Sequence, residues 1–210
     1  MRLLLAGASG LVGREVLRLA LADPGVGGVV APTRRPLEPA SGLNNPLVDF
    51  ERLPAGAPWW KVDAVICTLG TTMAQAGTQA AFRRVDHDYP LALARLALAA
   101  GARAFVLNSA LGANAESRVF YNRVKGEVEA AIAALGYASL TLVRPSLIDG
   151  GPRPDRRNGE RVALWFARRL RPLIPARYRA VATQAVARTL LAAAIASRPG
   201  LHVIESEHIA

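Results

Sequence analysis

The sequence predicts an α/β fold built on a doubly wound parallel sheet, and three observations support that prediction. Short apolar runs alternate with longer segments whose apolar residues recur at helical spacing, which is typical of a parallel sheet with helices on both faces. The run at residues 62–70 is apolar almost throughout, as expected of a strand buried on both faces. A glycine-rich turn joins the first apolar run to the first helical segment, which is how a βαβ unit begins.

The same periodicities place the elements in order along the chain. Strands are predicted at residues 2–6, 28–33, 45–50, 62–70, 102–110 and 139–145, with helices at 11–22, 79–100 and 117–136. Beyond residue 150, a loop rich in glycine, proline and arginine precedes helices at 161–170 and 182–196 and a last strand at 201–205. We therefore expect a single domain over residues 1–210, in which residues 150–200 form a small helical cap on the substrate side.

Composition excludes several classes of function. The net charge is +10, but the arginines are spread along the chain without lysine runs or interleaved aromatic residues, so we expect no nucleic-acid partner. No apolar stretch is long enough to span a bilayer. The three histidines are too scattered to suggest a metal site. A single cysteine, Cys67, excludes an internal disulfide and predicts a reducing, cytoplasmic location.

The turn GASGLVG after the first strand predicts a dinucleotide-binding site. Gly7 permits the tight turn, Gly10 allows the backbone to approach a pyrophosphate, and Gly13 allows the helix to pack closely on the sheet. The amides at the start of the helix then face the phosphates, where the helix dipole favours negative charge. The alternative is a purely structural turn with capping glycines.

The residues after the second strand indicate which nucleotide is preferred. A site for NAD usually carries a carboxylate there, which bonds the ribose 2′-hydroxyl. This chain has Arg34 and Arg35 instead, and two guanidinium groups suit a 2′-phosphate. NADP(H) is therefore predicted over NAD, with a solvated basic turn as the alternative. After the fourth strand, Leu69 and Gly70 lie at the carboxyl edge where ligands of such sheets bind.

A tyrosine and a lysine share one face of the helix predicted at residues 117–136. Tyr121 and Lys125 are one turn apart, and Lys125 is one of only two lysines in an arginine-rich chain. A neighbouring ammonium ion favours the phenolate, which makes a tyrosine usable as a proton donor or acceptor near neutral pH. Ser109 ends the fifth strand at the same edge, where its hydroxyl could polarise a carbonyl. The alternative is a surface tyrosine and lysine on an amphipathic helix.

These parts, in this order, resemble an atypical short-chain dehydrogenase/reductase of the NAD(P)-binding Rossmann superfamily. The sequence is most similar to the branch of the Tat-interactive protein oxidoreductase, within the group related to NAD-dependent epimerases and dehydratases. The resemblance covers nearly the whole chain and rests on the motifs TRR, CTLGTT, VDHDYP, YNRVKGEVE and RPSLIDGGPRPDRR.

The resemblance implies that NADP(H) is bound by Ser9, Gly10, Leu11, Val12, Arg34, Arg35, Leu69 and Gly70, with further contacts from Tyr121, Lys125, Ile148 and Arg156. It also implies that Tyr121 passes a proton. Relatives often carry two adjacent serines where this chain has Ser109 between Asn108 and Ala110, so Ser109 takes either the catalytic or the neighbouring position.

The expected function is that of an NADP(H)-dependent oxidoreductase with Tyr121, Lys125 and Ser109 as catalytic residues. It would transfer a hydride to or from a small carbonyl or alcohol, whose identity no motif specifies. The alternative is a catalytically weak regulatory or scaffold protein that senses NADP(H). A monomer and a homodimer are equally compatible with the sequence.

Overall fold

The structure, a computed structural model, describes residues 1–149 and 175–209. The strands described are β1 (Arg2–Ala6), β2 (Gly28–Val30), β3 (Leu43–Asn44), β4 (Ala64–Cys67), β5 (Ala104–Asn108), β6 (Ser139–Arg144), β7 (Ile148–Asp149), β8 (Val181–Ala182) and β9 (Gly200–Glu205). The α-helices described are α1 (Leu11–Ala22), α2 (Met73–Ala76), α3 (Gln79–Arg83), α4 (Tyr89–Ala99), α5 (Phe120–Ala133) and α6 (Thr183–Ala196).

Seven strands of the described chain form one parallel sheet in the order β3-β2-β1-β4-β5-β6-β9. The direction of winding reverses between β1 and β4, and in doubly wound sheets ligands bind at the carboxyl ends of the strands beside such a reversal. The predicted fold class is therefore confirmed. Strands β7 and β8 form a separate parallel pair.

Both faces of the sheet are covered by helices, as the continuous apolar strands required. On one face α1 and α6 pack together over a core that includes Leu3, Leu5 and Ile66. On the other face α4 and α5 pack over Leu4, Val65 and Phe105. Successive residues of β1 therefore enter opposite cores, which is the period-two alternation of a strand.

The third strand predicted at residues 45–50 is wrong. β3 ends at Asn44, and beyond it only an isolated bridge joins Leu47 to Thr33. The carbonyl oxygen of Ala31 accepts a hydrogen bond from the side chain of Asn45, whose Nδ2 also donates to Thr33 Oγ1, although backbone bonds still join Thr33 to Pro46 and Val48. Proline at position 46 has no N–H to continue a ladder.

The long helix predicted at residues 79–100 is interrupted. A π-helical turn, Arg84–Asp88, separates α3 from α4. Pro90 explains the interruption, because its ring has no N–H and would collide with the carbonyl of Asp86 in a continuous α-helix. The wider turn accommodates the ring and, as π turns often do, lies at a candidate functional site.

Part of the predicted cap lies outside the described residues, namely residues 150–174, which include Arg156 and the helix predicted at 161–170. The helix predicted at 182–196 is α6, and it packs against α1 in the core. The predicted last strand is β9, which joins the main sheet beside β6. None of the helices in the described part of the chain is both long and apolar enough to cross a membrane.

Candidate functional site

The turn between β1 and α1 is shaped by backbone contacts that leave no room for side chains. Gly7 has a φ of +88°, which side chains disfavour. A Cβ on Gly13 would lie 2.0 Å from the carbonyl oxygen of Gly7, so the helix could not begin where it does. Gly10 caps α1 without a side-chain hydrogen bond, and the first amides of the helix therefore stay available to an anionic ligand.

The glycine turn touches the segment that follows β4. A Cβ on Gly7 would lie 2.6 Å from Thr68 Oγ1 and 2.9 Å from the backbone nitrogen of Leu69. Thr68 holds this contact, because its hydroxyl donates a hydrogen bond to the carbonyl oxygen of Ala6 at 3.0 Å. Leu69 and the exposed Gly70 are thus brought directly beside the turn.

The two arginines after β2 are exposed. Within the described part of the chain, neither guanidinium of Arg34 and Arg35 makes a side-chain hydrogen bond or an ion pair. The backbone that carries them is held by Thr33, whose hydroxyl donates to the carbonyl oxygen of Arg35 at 2.6 Å. Both positive charges therefore lack a partner among the described residues, and they lie in the segment that follows β2, the strand next to β1.

Helix α5 brings Tyr121 and Lys125 to the same edge of the sheet. Tyr121 is half-buried, and its ring centroid lies 5.5 Å from that of Phe82. Lys125 is buried, with its Nζ 2.7 Å from Asp86 Oδ1. A Cβ on Gly70 would lie 3.4 Å from that carboxylate oxygen and 3.9 Å from Nζ. The Tyr-x-x-x-Lys pair and the loop after β4 therefore form one cluster.

The charge of Lys125 depends on its carboxylate partner. Burial alone would lower the pKa of Lys125, because it disfavours the ammonium form. The neighbouring Asp86 carboxylate, with a smaller contribution from Tyr121, outweighs burial and raises the pKa above the usual lysine value. Lys125 is accordingly an ammonium ion at neutral pH.

Asp86 is the residue of this site that sequence reasoning missed. It lies within the π-helical turn, is 1% exposed, and its Oδ2 accepts a hydrogen bond from the backbone nitrogen of Thr71 at 2.8 Å. Asp86 is part of the motif VDHDYP, but the sequence of a predicted helix does not indicate which of its aspartates faces another helix. The available signal was Pro90, which marks a break four residues later.

Ser109 lies just beyond β5, where its backbone nitrogen donates to the carbonyl oxygen of Val143 at 2.8 Å. Its side-chain oxygen is buried and has no hydrogen-bond partner among the described residues, and the same holds for Oδ1 of Asn108. Buried polar atoms are rarely left unpaired in proteins, so these two neighbouring oxygens at the carboxyl edge are candidate ligand contacts.

The remaining residues implied by the resemblance fall in different places. Ser9 and Leu11 are exposed on the glycine turn, whereas the side chain of Val12 is buried in the core and leaves only its backbone to a ligand. Ile148 lies in β7, paired with Val181 of β8. Arg156 is outside the described residues.

Cys67 belongs to the core and not to the reactive groups. It is fully buried at the end of β4, and desolvation raises the pKa of its thiol to about 12. Among residues 1–149 and 175–209, no group of three or more histidine, cysteine, aspartate or glutamate side chains could hold a metal ion.

This geometry defines the class of protein. The strand order, the bare glycine turn after β1 and the tyrosine–lysine pair of α5 at the same edge are those of an NAD(P)-binding Rossmann protein of the atypical short-chain dehydrogenase/reductase type.

Comparisons with known proteins give the family. The chain is 38% identical to the protein HTATIP2 of Rattus norvegicus over 174 residues, which cover 80% of this chain and 69% of that protein. It is 33% identical to the mitochondrial protein fmp52 of Emericella nidulans over 171 residues, which cover 78% of this chain and 73% of that protein. The chain belongs to the family of these two proteins. No family model matches the sequence.

Solved structures agree with the fold. MoeE5 in complex with UDP-glucose and NAD matches with a TM-score of 0.71 at 19% identity, over 97% of this chain and 75% of that one. At this identity the likeness shows the fold alone.

The predicted cytoplasmic location is wrong. The fmp52 protein of Emericella nidulans is named as mitochondrial, and so are its counterparts in Eremothecium gossypii and Candida albicans. The prediction rested on a single cysteine, but reduced thiols do not distinguish one intracellular compartment from another.

Proposed function

We propose that the protein is an NADP(H)-dependent oxidoreductase, in which Tyr121 passes a proton while a hydride moves to or from a small carbonyl or alcohol. One observation supports this most strongly. The glycine turn, the Leu69–Gly70 segment and the Tyr121–Lys125 pair form a continuous series of contacts along one edge of the sheet. Such an edge is where dinucleotides bind in this fold.

The residues present fit a nicotinamide dinucleotide. The turn from Gly7 to Gly13 offers helix amides that no side chain caps, and Gly10 at the helix start carries no side chain that would keep a pyrophosphate away from the backbone. Ser9, Leu11, Leu69 and Gly70 line the path beyond it. The buried ammonium of Lys125 next to Gly70 suits a ribose hydroxyl.

Preference for the phosphorylated nucleotide follows from Arg34 and Arg35. Both lie beyond the carboxyl end of β2, and neither has a carboxylate partner within the described part of the chain. A 2′-phosphate would neutralise the two charges and accept hydrogen bonds from both guanidinium groups.

The chain's own residues divide the chemistry between them. A nicotinamide nucleotide held at this edge would supply the hydride chemistry. Tyr121 donates or accepts the proton at its phenol oxygen, with the positive charge of Lys125 next to it. Ser109, whose hydroxyl has no partner among the described residues, would donate a hydrogen bond to the substrate oxygen and orient the carbonyl or alcohol group.

One feature favours the alternative, a protein that senses NADP(H) with little turnover. A single serine stands at the end of β5, flanked by Asn108 and Ala110, where two adjacent serines would offer two hydroxyl donors. The cofactor-binding features are the same under both functions, so turnover is what separates them.

Replacing Tyr121 by phenylalanine tests the proposal. The ring and its contact with Phe82 remain while the proton donor is lost, so NADPH binding stays within about twofold and turnover falls by a factor of about 10²–10⁴. The measurement is NADPH oxidation, followed by absorbance, with a panel of small aldehydes, ketones and quinones. A wild-type protein that binds NADPH but oxidises it with no member of the panel would support the sensing alternative instead.

A further inference from the structure

The ion pair between Asp86 and Lys125 is more deeply buried than stability alone would favour. The two residues are 1% and 5% exposed, and 2.7 Å separates the carboxylate oxygen from Nζ. Removing two charges from water costs about as much as their attraction returns, and apolar residues of similar volume often stabilise a protein as well or better. The pair therefore calls for an explanation in terms of the site.

Asp86 connects three segments of the candidate site. It projects from the π-helical turn between α3 and α4, its Oδ2 accepts the amide of Thr71 from the loop after β4, and its Oδ1 faces Lys125 on α5. Pro90 imposes the turn, and the turn packs against α5. The local backbone is thus arranged so that a single carboxylate reaches both the loop and the helix.

The ammonium ion keeps hydrogen-bonding capacity for another partner. Asp86 Oδ1 lies 2.7 Å from Nζ, and this contact engages at most one N–H of the ammonium group. An ammonium group has three N–H donors, and this one lies directly below Gly70, which is exposed and has no side chain. An oxygen atom of a ligand that passes over Gly70 could accept from Nζ.

We propose that Asp86 is a positioning residue of the nucleotide site, which keeps Lys125 charged and fixed below Gly70 so that its N–H groups meet an oxygen of the nicotinamide nucleotide. This inference rests on the proposed function. The loop after β4, the π-helical turn and α5 then act as one unit, joined by the Asp86 carboxylate.

The groups that face Lys125 determine how the replacement of Asp86 should change the charge of Lys125. They are Asp86 from the π-helical turn, Tyr121 from α5 and Cys67 from β4, and Cys67 is a neutral thiol because its pKa is about 12. Without the carboxylate, we expect burial, the largest single influence on Lys125, to outweigh the remaining contributions of Tyr121 and Cys67 and to lower the pKa of Lys125. A lysine is charged below its pKa, so the ammonium would be lost as the pH rises through the alkaline range.

The test compares Asp86→Asn with Asp88→Asn, which removes an exposed carboxylate from the same turn. The NADPH dissociation constant is measured by nicotinamide fluorescence from about pH 6 to about pH 9.5. We expect affinity in Asp86→Asn to fall by about tenfold for each pH unit above the new pKa of Lys125, whereas wild type and Asp88→Asn change little over the range. A merely structural role for Asp86 would shift affinity equally at every pH. An Asp86→Asn curve parallel to wild type would overturn the inference.

A second measurement tests the inference even if the Asp86→Asn variant does not fold or the wild type binds no nucleotide. The chain has only two lysines, so isotope-labelled lysine gives two side-chain signals, which Lys61→Arg assigns. We expect Lys125 of the wild type to keep its proton above the pH range usual for lysine, and deprotonation below that range would overturn the inference. If the wild type binds no NADPH although Lys125 is charged, the proposed function is contradicted. The effect of Asp86 on the charge of Lys125 would still stand.

Discussion

At Gly13 the neighbouring backbone is so close that no residue with a Cβ atom would fit without displacing it. A Cβ there would lie 2.0 Å from the carbonyl oxygen of Gly7 and 2.7 Å from its carbonyl carbon, so Gly13→Ala must displace either α1 or the turn. We expect a loss of about 1–3 kcal/mol in the free energy of unfolding, measured by urea denaturation, and weaker NADPH binding. Gly56→Ala is the control, since a Cβ at that position meets nothing within 4 Å. Equal stability of the two variants would contradict the close approach.

The sequence predicted those residues of the site whose role is local. The glycine turn and the Tyr121–Lys125 spacing are patterns within one turn or one helix, so the residues themselves carry the information. Asp86 and Asn108 were not predictable, because their significance depends on what lies across the site from them: the Lys125 ammonium for Asp86, and for Asn108 Oδ1 the lack of a hydrogen-bond partner among the described residues.

At the scale of elements, α5 is anchored to the sheet by a second charged cluster. Arg144 at the end of β6 contacts Glu129 of α5 at 2.6 Å and Glu205 of β9 at 3.0 Å, and the Glu129 side chain is only 6% exposed. The cluster lies one helical turn beyond Lys125 on the helix that carries Tyr121. The orientation of that helix, and with it the phenol, depends on both ion pairs.

Replacing Arg144 by alanine leaves Glu129 buried without its partner. Breaking a buried pair from one side costs about 3–5 kcal/mol, so we expect a large fall in the urea midpoint, with the slope unchanged. Arg18→Ala serves as the control, because its ion pair with Glu15 within one turn of α1 is exposed and should matter little. Indistinguishable midpoints for the two variants would show that the cluster does not anchor α5.

Elements were predictable where apolar periodicity was uninterrupted, and less so where single residues redirected the backbone. The runs that became β1, β5, β6 and β9 are clear in the sequence. The predicted third strand ends early because Pro46 has no N–H for the carbonyl of Ala31, which the Asn45 amide bonds instead. The helix predicted at residues 79–100 is divided because Pro90 widens it into a π turn.

At the scale of the whole molecule, sheet topology gathers residues that are far apart in the sequence. The winding reverses between β1 and β4, so the glycine turn, the loop after β4 and the residues beyond β5 all open at the carboxyl edge. Alternating strand and helix patterns were sufficient to predict this class of fold, since crossover connections between parallel strands are nearly always right-handed. The identity of the substrate was not predictable, because no pattern in the chain describes the shape of a pocket.

The central claim is that this edge binds a nicotinamide nucleotide with a 2′-phosphate, and comparison of NADPH with NADH tests it most directly. Fluorescence titrations would use wild type, Arg34→Ser/Arg35→Ser and the control Arg95→Ser/Arg103→Ser, which removes the same charge from exposed positions elsewhere. We expect wild type and control to bind NADPH at least about tenfold more tightly than NADH, and the Arg34/Arg35 variant to lose that difference. Equal affinity of the wild type for both nucleotides, or no binding of either at millimolar concentration, would contradict the claim.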